Sequence, residues 1–105
     1  MTPSKQIIDN LIQEIIKTVD PLSIWLFGSA ANGTFEPDSD IDLLIVMPEG
    51  THRRKTAQHI YRNVSGIPVP FDVIVATPSD LEKHKDNIGL IYQSILKEGK
   101  EVYVS

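Results

Sequence analysis

The sequence lacks cysteine altogether, and it also lacks any long uninterrupted hydrophobic segment. Without cysteine, a disulfide framework and catalysis by a thiolate are both excluded, and nothing in the sequence indicates an oxidising compartment. The most apolar segments, residues 22–27 and 41–46, are far shorter than the roughly 20 residues that a membrane-spanning helix needs. The first residues do not resemble a signal peptide. We therefore expect a cytoplasmic protein that does not associate with membranes.

An excess of basic residues is also missing. The sequence has 10 lysines and arginines against 14 aspartates and glutamates, a net charge of −4 at neutral pH. This balance argues against direct binding of DNA or RNA through a broad basic surface. One local exception is the stretch His-Arg-Arg-Lys at residues 52–55, which His59 and Arg62 follow at helical spacing. It is either an ordinary solvated helix face or a surface that attracts nucleotide phosphates or an acidic partner.

Hydrophobic periodicity and turn residues predict the element order helix, strand, strand, helix, strand, helix, strand. The first helix carries an apolar stripe and ends at Asp20-Pro21. Strands are predicted at residues 22–27, 41–46, 69–76 and 101–105. The second helix is predicted to run from a cap at Thr51 to about Val64, with Ala57, Ile60, Tyr61 and Val64 facing inward. The third follows the capping box of residues 77–80 and stops near Gly99.

The loop between the first two strands carries the residues of greatest chemical interest. Gly28 and Ser29 form a tight turn whose backbone N–H groups and hydroxyl can bind an anion, for which phosphate is the usual ligand. Asp40 and Asp42 are two residues apart, so in an extended chain both carboxylates leave the same face. Two carboxylates held so close repel each other unless a cation lies between them, and Mg²⁺ prefers such oxygen ligands.

A further acid, Asp72, lies within the apolar strand Pro-Phe-Asp-Val-Ile-Val-Ala. Burying it as an unpaired charge would be costly, so its presence there requires an explanation. One explanation is an aspartate that faces water on an edge strand. The other is a functional role for the carboxylate.

The spacing of Gly28-Ser29, ten residues, then Asp40-x-Asp42 resembles the nucleotidyltransferase superfamily whose catalytic domain is like that of DNA polymerase β. The element order is similar to that of the minimal nucleotidyltransferase (MNT) domain over nearly the whole chain. The resemblance implies one domain spanning residues 1–105 with an α/β (α+β) fold. Its mixed sheet would have about four strands, with helices packed largely on one face.

This resemblance implies transfer of a nucleoside monophosphate, AMP from ATP by preference, to an acceptor hydroxyl, with pyrophosphate leaving. Asp40 and Asp42 would hold two Mg²⁺ ions, for which Mn²⁺ is an alternative. Asp72 would be the third metal ligand and would accept the proton of the acceptor. Gly28 and Ser29 would bind the triphosphate. All three aspartates are therefore predicted to be catalytic and metal-binding.

One departure from the family pattern concerns charge near the phosphates. Many relatives carry arginine within the loop, in a Gly-Ser-x-Ala-Arg-Gly arrangement, whereas this sequence has Ala30, Ala31 and Asn32. Glu36 follows where another basic residue is frequent. The change removes positive charge and leaves the metal ligands intact.

Three functions remain open. The first is an antitoxin like those of HEPN/MNT toxin–antitoxin modules, which would adenylylate a helical HEPN-type protein partner. The second is a catalytic subunit that modifies a small molecule such as an antibiotic, and the third is a non-catalytic interaction subunit. A chain of 105 residues has little room for a second domain, which disfavours the second, and the intact carboxylates disfavour the third. A homo-oligomer is a further arrangement that the sequence leaves open.

Overall fold

The computed structural model describes residues 5–28, 41–67, 70–83, 95 and 97–105. The elements in these ranges follow the predicted order. They are α1 (Lys5–Thr18), β1 (Ser23–Phe27), β2 (Ile41–Val46), α2 (Arg53–Asn63), β3 (Phe71–Ala76), α3 (Pro78–Lys83) and β4 (Lys100–Val104). None of the helices in the described ranges is long and apolar enough to cross a membrane.

The four strands form one mixed sheet in the order β3-β2-β1-β4. β1 pairs antiparallel with β2 on one side and with β4 on the other, whereas β2 and β3 are parallel. The crossover through α2 permits the parallel step from β2 to β3. The predicted mixed sheet is therefore confirmed, with β3 and β4 at its edges.

The strands alternate their side chains between two apolar clusters. On one face, α1 and α2 pack against residues of β1, β2 and β3 that include Ile24, Leu26, Leu43 and Ile45. On the other, Leu44, Val46 and Ala76 pack with Leu81 of α3 and with Ile95. The prediction that helices lie largely on one face is confirmed by α1 and α2, while α3 lies on the opposite face.

The start of α2 differs from the prediction. His52, not Thr51, is the N-cap, and its ring Nδ1 accepts a hydrogen bond of 3.2 Å from the Lys55 N–H. The Thr51 hydroxyl instead donates to the Pro48 carbonyl at 2.7 Å, and the Thr51 N–H donates to the same oxygen. Thr51 therefore closes the preceding turn, and the helix begins one residue later than a threonine cap would set it.

Tyr61 also differs from the prediction that it faces inward. Ile60 and Val64 are buried, but Tyr61 is 45% exposed. Its ring stacks on Phe71, with 5.6 Å between centroids, and its hydroxyl accepts a hydrogen bond of 2.8 Å from the Val73 N–H. A tyrosine has an apolar ring and a polar tip, so it covers the edge of β3 rather than entering the core.

The capping box at the start of α3 is confirmed. The Thr77 N–H donates to Asp80 Oδ2 at 3.0 Å and the Asp80 N–H donates to Thr77 Oγ1 at 3.3 Å, with Pro78 as the first helical residue. Residues 84–94, over which the third helix was predicted to continue, lie outside the described ranges.

Gly99 follows the helical residues 97 and 98 and ends the helix as predicted, but without a left-handed backbone. Its N–H donates to the Ile95 carbonyl at 2.7 Å. A Cβ at this position would lie 2.5 Å from the Ile95 carbonyl oxygen and 2.8 Å from that of Leu26. Glycine is therefore required here because the chain passes too close to β1 for any side chain.

Candidate functional site

Asp42 and Asp72 occupy neighbouring positions on adjacent strands. The parallel register of β2 and β3 places Asp42 opposite Asp72. Paired residues of neighbouring strands lie about 4.8 Å apart and point to the same face. The two carboxylates therefore leave the sheet side by side, as expected of a third acid beside the Asp-x-Asp pair.

The alternation of each strand explains why these acids are not in the main core. Leu43 and Phe71 point towards α1 and α2, so their neighbours Asp42 and Asp72 point to the opposite face. Asp42 is half-buried because β2 is an inner strand, and Asp72 is exposed because β3 is an edge strand. Asp72 is thus both a water-facing aspartate on an edge strand and the neighbour of Asp42, so the two explanations of its position are compatible.

Gly28 lies directly against the Asp42 carboxylate. Phe27, the last residue of β1, pairs with Asp42, and Gly28 follows with a φ of +77°. A Cβ at Gly28 would lie 2.6 Å from Asp42 Oδ2, so a side chain at this position would displace the Asp42 carboxylate. Gly28 therefore has the left-handed backbone that a turn after β1 requires, and it places backbone next to a carboxylate.

Ser29 and Asp40 lie outside the described residues, as do Ala30, Ala31, Asn32 and Glu36. Their roles remain predictions. Of the three predicted metal ligands, only Asp42 and Asp72 are described, and the described ranges contain no cluster of three metal-ligating side chains. The start of β2, which follows Asp40, is held by a hydrogen bond of 3.0 Å from the Ile41 N–H to the Pro70 carbonyl.

The basic first turn of α2 lies away from these carboxylates. β2 and β3 both begin near the two aspartates and run in parallel to the far end of the sheet, where the Met47 N–H bonds the Ala76 carbonyl. Arg53 lies at that far end, with its guanidinium 3.7 Å from Asp80 at the start of α3. Asp42 and Val46, the last residue of β2, are four residues apart, or about 13 Å of extended chain. Arg53 therefore does not replace the missing loop arginines.

A cleft of about 530 Å³ opens at this far end, and the described residues that line it are Thr51, His52, Arg53, Arg54 and Val75. It is separate from the Asp42–Asp72 pair because Val75 lies three positions along β3 from Asp72. Any phosphate that the basic stretch attracts would therefore lie in this cleft, away from Gly28.

Sequence reasoning missed one residue near the carboxylates. Tyr61 contacts Phe71 and Val73, the two residues that flank Asp72. In the sequence it belongs to the apolar stripe of α2, and its hydroxyl was the only indication of a different environment.

Comparison with known proteins agrees with the fold. A family model described as a nucleotidyltransferase domain matches residues 8–102. No curated protein matches the chain.

Two solved structures share the fold. One is a candidate nucleotidyltransferase from Sulfolobus solfataricus, with a TM-score of 0.62 and 19% identity, over 94% of this chain and 78% of that chain. The other is a toxin–antitoxin with AMP-PNP, with a TM-score of 0.64 and 20% identity, over 92% of this chain and 73% of that chain. The family model spans nearly all of the chain, and the Gly28 turn and the two aspartates lie within the match, so this protein belongs to the nucleotidyltransferase domain family.

Proposed function

We propose that the protein transfers AMP from ATP to a hydroxyl group of a partner protein and releases pyrophosphate. The observation that carries this proposal is the pairing of Asp42 with Asp72, with the Gly28 turn packed against the Asp42 carboxylate. In the proposed role, that arrangement would supply carboxylates and phosphate-binding backbone at one end of the sheet.

The residues present fit divalent metal. Two carboxylates side by side on neighbouring strands repel each other, and a cation between them would offset that repulsion. Asp42 and Asp72, together with Asp40, would hold two Mg²⁺ ions or, alternatively, Mn²⁺. When bound, the metal supplies positive charge to the phosphates and aligns the attacking and leaving oxygens.

The chain's own groups would bind and orient the substrates. The Gly28 N–H and the Ser29 hydroxyl would hold the triphosphate tail through hydrogen bonds to its charged oxygens. Asp72 lies on the exposed side, where an acceptor can approach, and would take the proton of the acceptor hydroxyl. The hydroxyl oxygen forms a bond to the α-phosphorus as the bond from that phosphorus to pyrophosphate breaks.

Two observations support a protein acceptor and AMP as the transferred group. A similar structure is a toxin–antitoxin with AMP-PNP, an ATP analogue. The edge position of Asp72 leaves the acceptor side of the site accessible to a second polypeptide. We infer that this chain is the antitoxin of such a pair, that its partner is a helical HEPN-type toxin, and that both are cytoplasmic.

The test is incubation of the protein with ATP labelled at the α-phosphate and a lysate of its own source. We expect a labelled polypeptide that carries AMP on a tyrosine, serine or threonine by mass spectrometry, and no label with the Asp42→Asn variant. A labelled small molecule with no labelled protein would contradict the protein acceptor and favour small-molecule modification. A co-purifying partner that never acquires AMP would favour a non-catalytic subunit.

A further inference from the structure

An exposed aromatic side chain, Tyr61, lies at the edge of β3 on the α2 side of the sheet, and the Asp72 carboxylate leaves the opposite side. β3 is an edge strand, and Asp72 is exposed on it. Tyr61 is held there by stacking on Phe71 and by the hydrogen bond from the Val73 N–H, yet 45% of its surface remains exposed. A large aromatic ring that is rigid in the free protein is typical of an anchor in a protein–protein interface.

The same helix carries an unusual concentration of positive charge. α2 holds four of the 10 lysines and arginines in the chain and no acidic residue. Arg53 pairs with Asp80, whereas Arg54, Lys55 and Arg62 are exposed and none of the ion pairs found in the described ranges involves them. The basic residues are therefore not neutralised along the helix.

The position of three of these charges opposes helix stability. Arg53, Arg54 and Lys55 occupy the first turn, which has no acidic residue. The helix dipole disfavours cations at this end. A sequence that breaks a local stability rule in this way often does so for function.

The spacing places the charges in two rows along α2, one of which includes Tyr61. Arg54 and Tyr61 are seven residues apart, as are Lys55 and Arg62, so each pair lies on one side of α2 two turns apart. Arg54 and Arg62 are separated by eight residues, or about 12 Å of helix. An extended peptide covers that distance in about four residues.

Resting on the proposed function, we propose that the surface formed by Arg54, Lys55, Tyr61 and Arg62, the α2 surface, docks an acidic segment of the acceptor protein. This segment carries glutamates or aspartates within about four to six residues of the hydroxyl that is modified. Its acidic part lies along α2 and its hydroxyl passes Tyr61 and the edge of β3 to Asp72. Nucleic acid fits the surface less well because the chain as a whole carries a net charge of −4.

The probe is a synthetic, fluorescently labelled 12-residue peptide with one tyrosine followed by six glutamates, and binding is followed by fluorescence anisotropy without ATP. We expect the double variant Arg54→Glu/Arg62→Glu to bind it roughly tenfold or more weakly than the unmodified chain. The matched control is Lys17→Glu/Lys97→Glu, which changes net charge equally at exposed positions elsewhere and is expected to bind normally. Circular dichroism melting curves check that both variants are folded.

Two variants of Tyr61 distinguish the contribution of the aromatic ring to peptide binding from that of charge. Tyr61→Ala keeps every basic residue and is expected to weaken peptide binding at high salt, where the charge attraction is screened. Tyr61→Phe keeps the ring on Phe71 and is expected to bind the peptide as the unmodified chain does.

An equal loss of binding in the charge-reversal variant and its control would contradict docking at the α2 surface. Unchanged binding in both variants would contradict it too. If a single-stranded oligonucleotide displaces the peptide at a lower concentration than unlabelled peptide does, the result would contradict a protein partner and favour nucleic acid. The Asp42→Asn variant is expected to bind the peptide normally. If the unmodified chain binds the peptide but transfers AMP to no protein, the result would contradict the proposed function and support docking at the α2 surface.

Discussion

The Asp42 carboxylate occupies the space that a side chain at Gly28 would need. The Cβ of an alanine at this position would lie 2.6 Å from Asp42 Oδ2, and the φ of +77° is itself unfavourable for alanine. We expect Gly28→Ala to lower the melting temperature and to displace the carboxylate, which would weaken Mg²⁺ binding.

Gly66 is the matched control for this variant. It has the same φ of +77°, but a Cβ there would meet nothing within 4 Å. Gly66→Ala is therefore expected to lower the free energy of unfolding only through its unfavourable backbone conformation, by about 1–2 kcal/mol. The expected result is a similar backbone cost in both variants and a loss of the metal response in Gly28→Ala alone, measured by thermal shift with and without Mg²⁺. Equal metal responses in the two variants would show that the contact with Asp42 is not functional.

Asp42 and Asp72 are expected to bind divalent metal together. A ligand that binds only the folded protein at a hundred times its dissociation constant adds about 2.7 kcal/mol of stability. In a domain of this size, each kcal/mol raises the melting temperature by about 4–8 °C. Mg²⁺ and Mn²⁺ are each expected to raise the melting temperature of the unmodified chain, and Asp42→Asn is expected to remove most of that rise.

Asp9 supplies the control because it is an exposed acid on α1, on the other face of the sheet. Asp9→Asn is expected to keep the full response to metal. A response that survives in Asp42→Asn would exclude this carboxylate as a metal ligand.

A third carboxylate beside the Asp-x-Asp pair was implied by the family resemblance, and local patterns explain why Asp72 lies opposite Asp42. Alternation within β2 and β3 places each acid on the face opposite its apolar neighbours, and a helical connection between two strands favours a parallel arrangement. The element order could be predicted because most segments have a hydrophobic period, whereas the mixed sheet was implied by the family resemblance.

Features that depend on contacts between distant parts of the chain could not be predicted. Tyr61 fits the inward stripe of α2 by spacing, and only the position of the β3 edge explains why it stays exposed. Gly99 has the sequence position of a helix stop, but it is required by the passing Leu26 carbonyl. The cap at His52 was missed because Thr51, the better cap by preference, is already bonded to Pro48.

A substitution at the N-cap of α2 is expected to stabilise the protein. Aspartate is among the preferred caps, and its charge would favour the N-terminus of a helix whose first turn holds three cations. We expect His52→Asp to stabilise the protein by about 1 kcal/mol. His52→Ala, which removes the Nδ1 acceptor of the Lys55 N–H, is expected to destabilise it by a similar amount. Urea unfolding of both variants would measure the two changes, and equal stabilities would show that the histidine ring does not act as a cap.

The last prediction concerns Ser29, which follows the Gly28 turn in the sequence. Loss of a hydrogen bond to a charged group costs about 1.5–3 kcal/mol, which corresponds to roughly tenfold to a hundredfold in affinity. We expect Ser29→Ala to weaken ATP binding by this factor, measured by calorimetry with Mg²⁺ present, because the hydroxyl would no longer donate to the triphosphate.

The melting temperature of the Ser29→Ala variant without nucleotide is expected to match that of the unmodified chain. Ser65→Ala provides the control, since Ser65 is an exposed serine in the segment after α2. Because AMP lacks the β- and γ-phosphates, the affinity for AMP is expected to change much less than the affinity for ATP in Ser29→Ala. Equal losses for AMP and ATP would place the serine near the base, the ribose or the α-phosphate rather than the triphosphate tail, and no loss for either would exclude it from the nucleotide site.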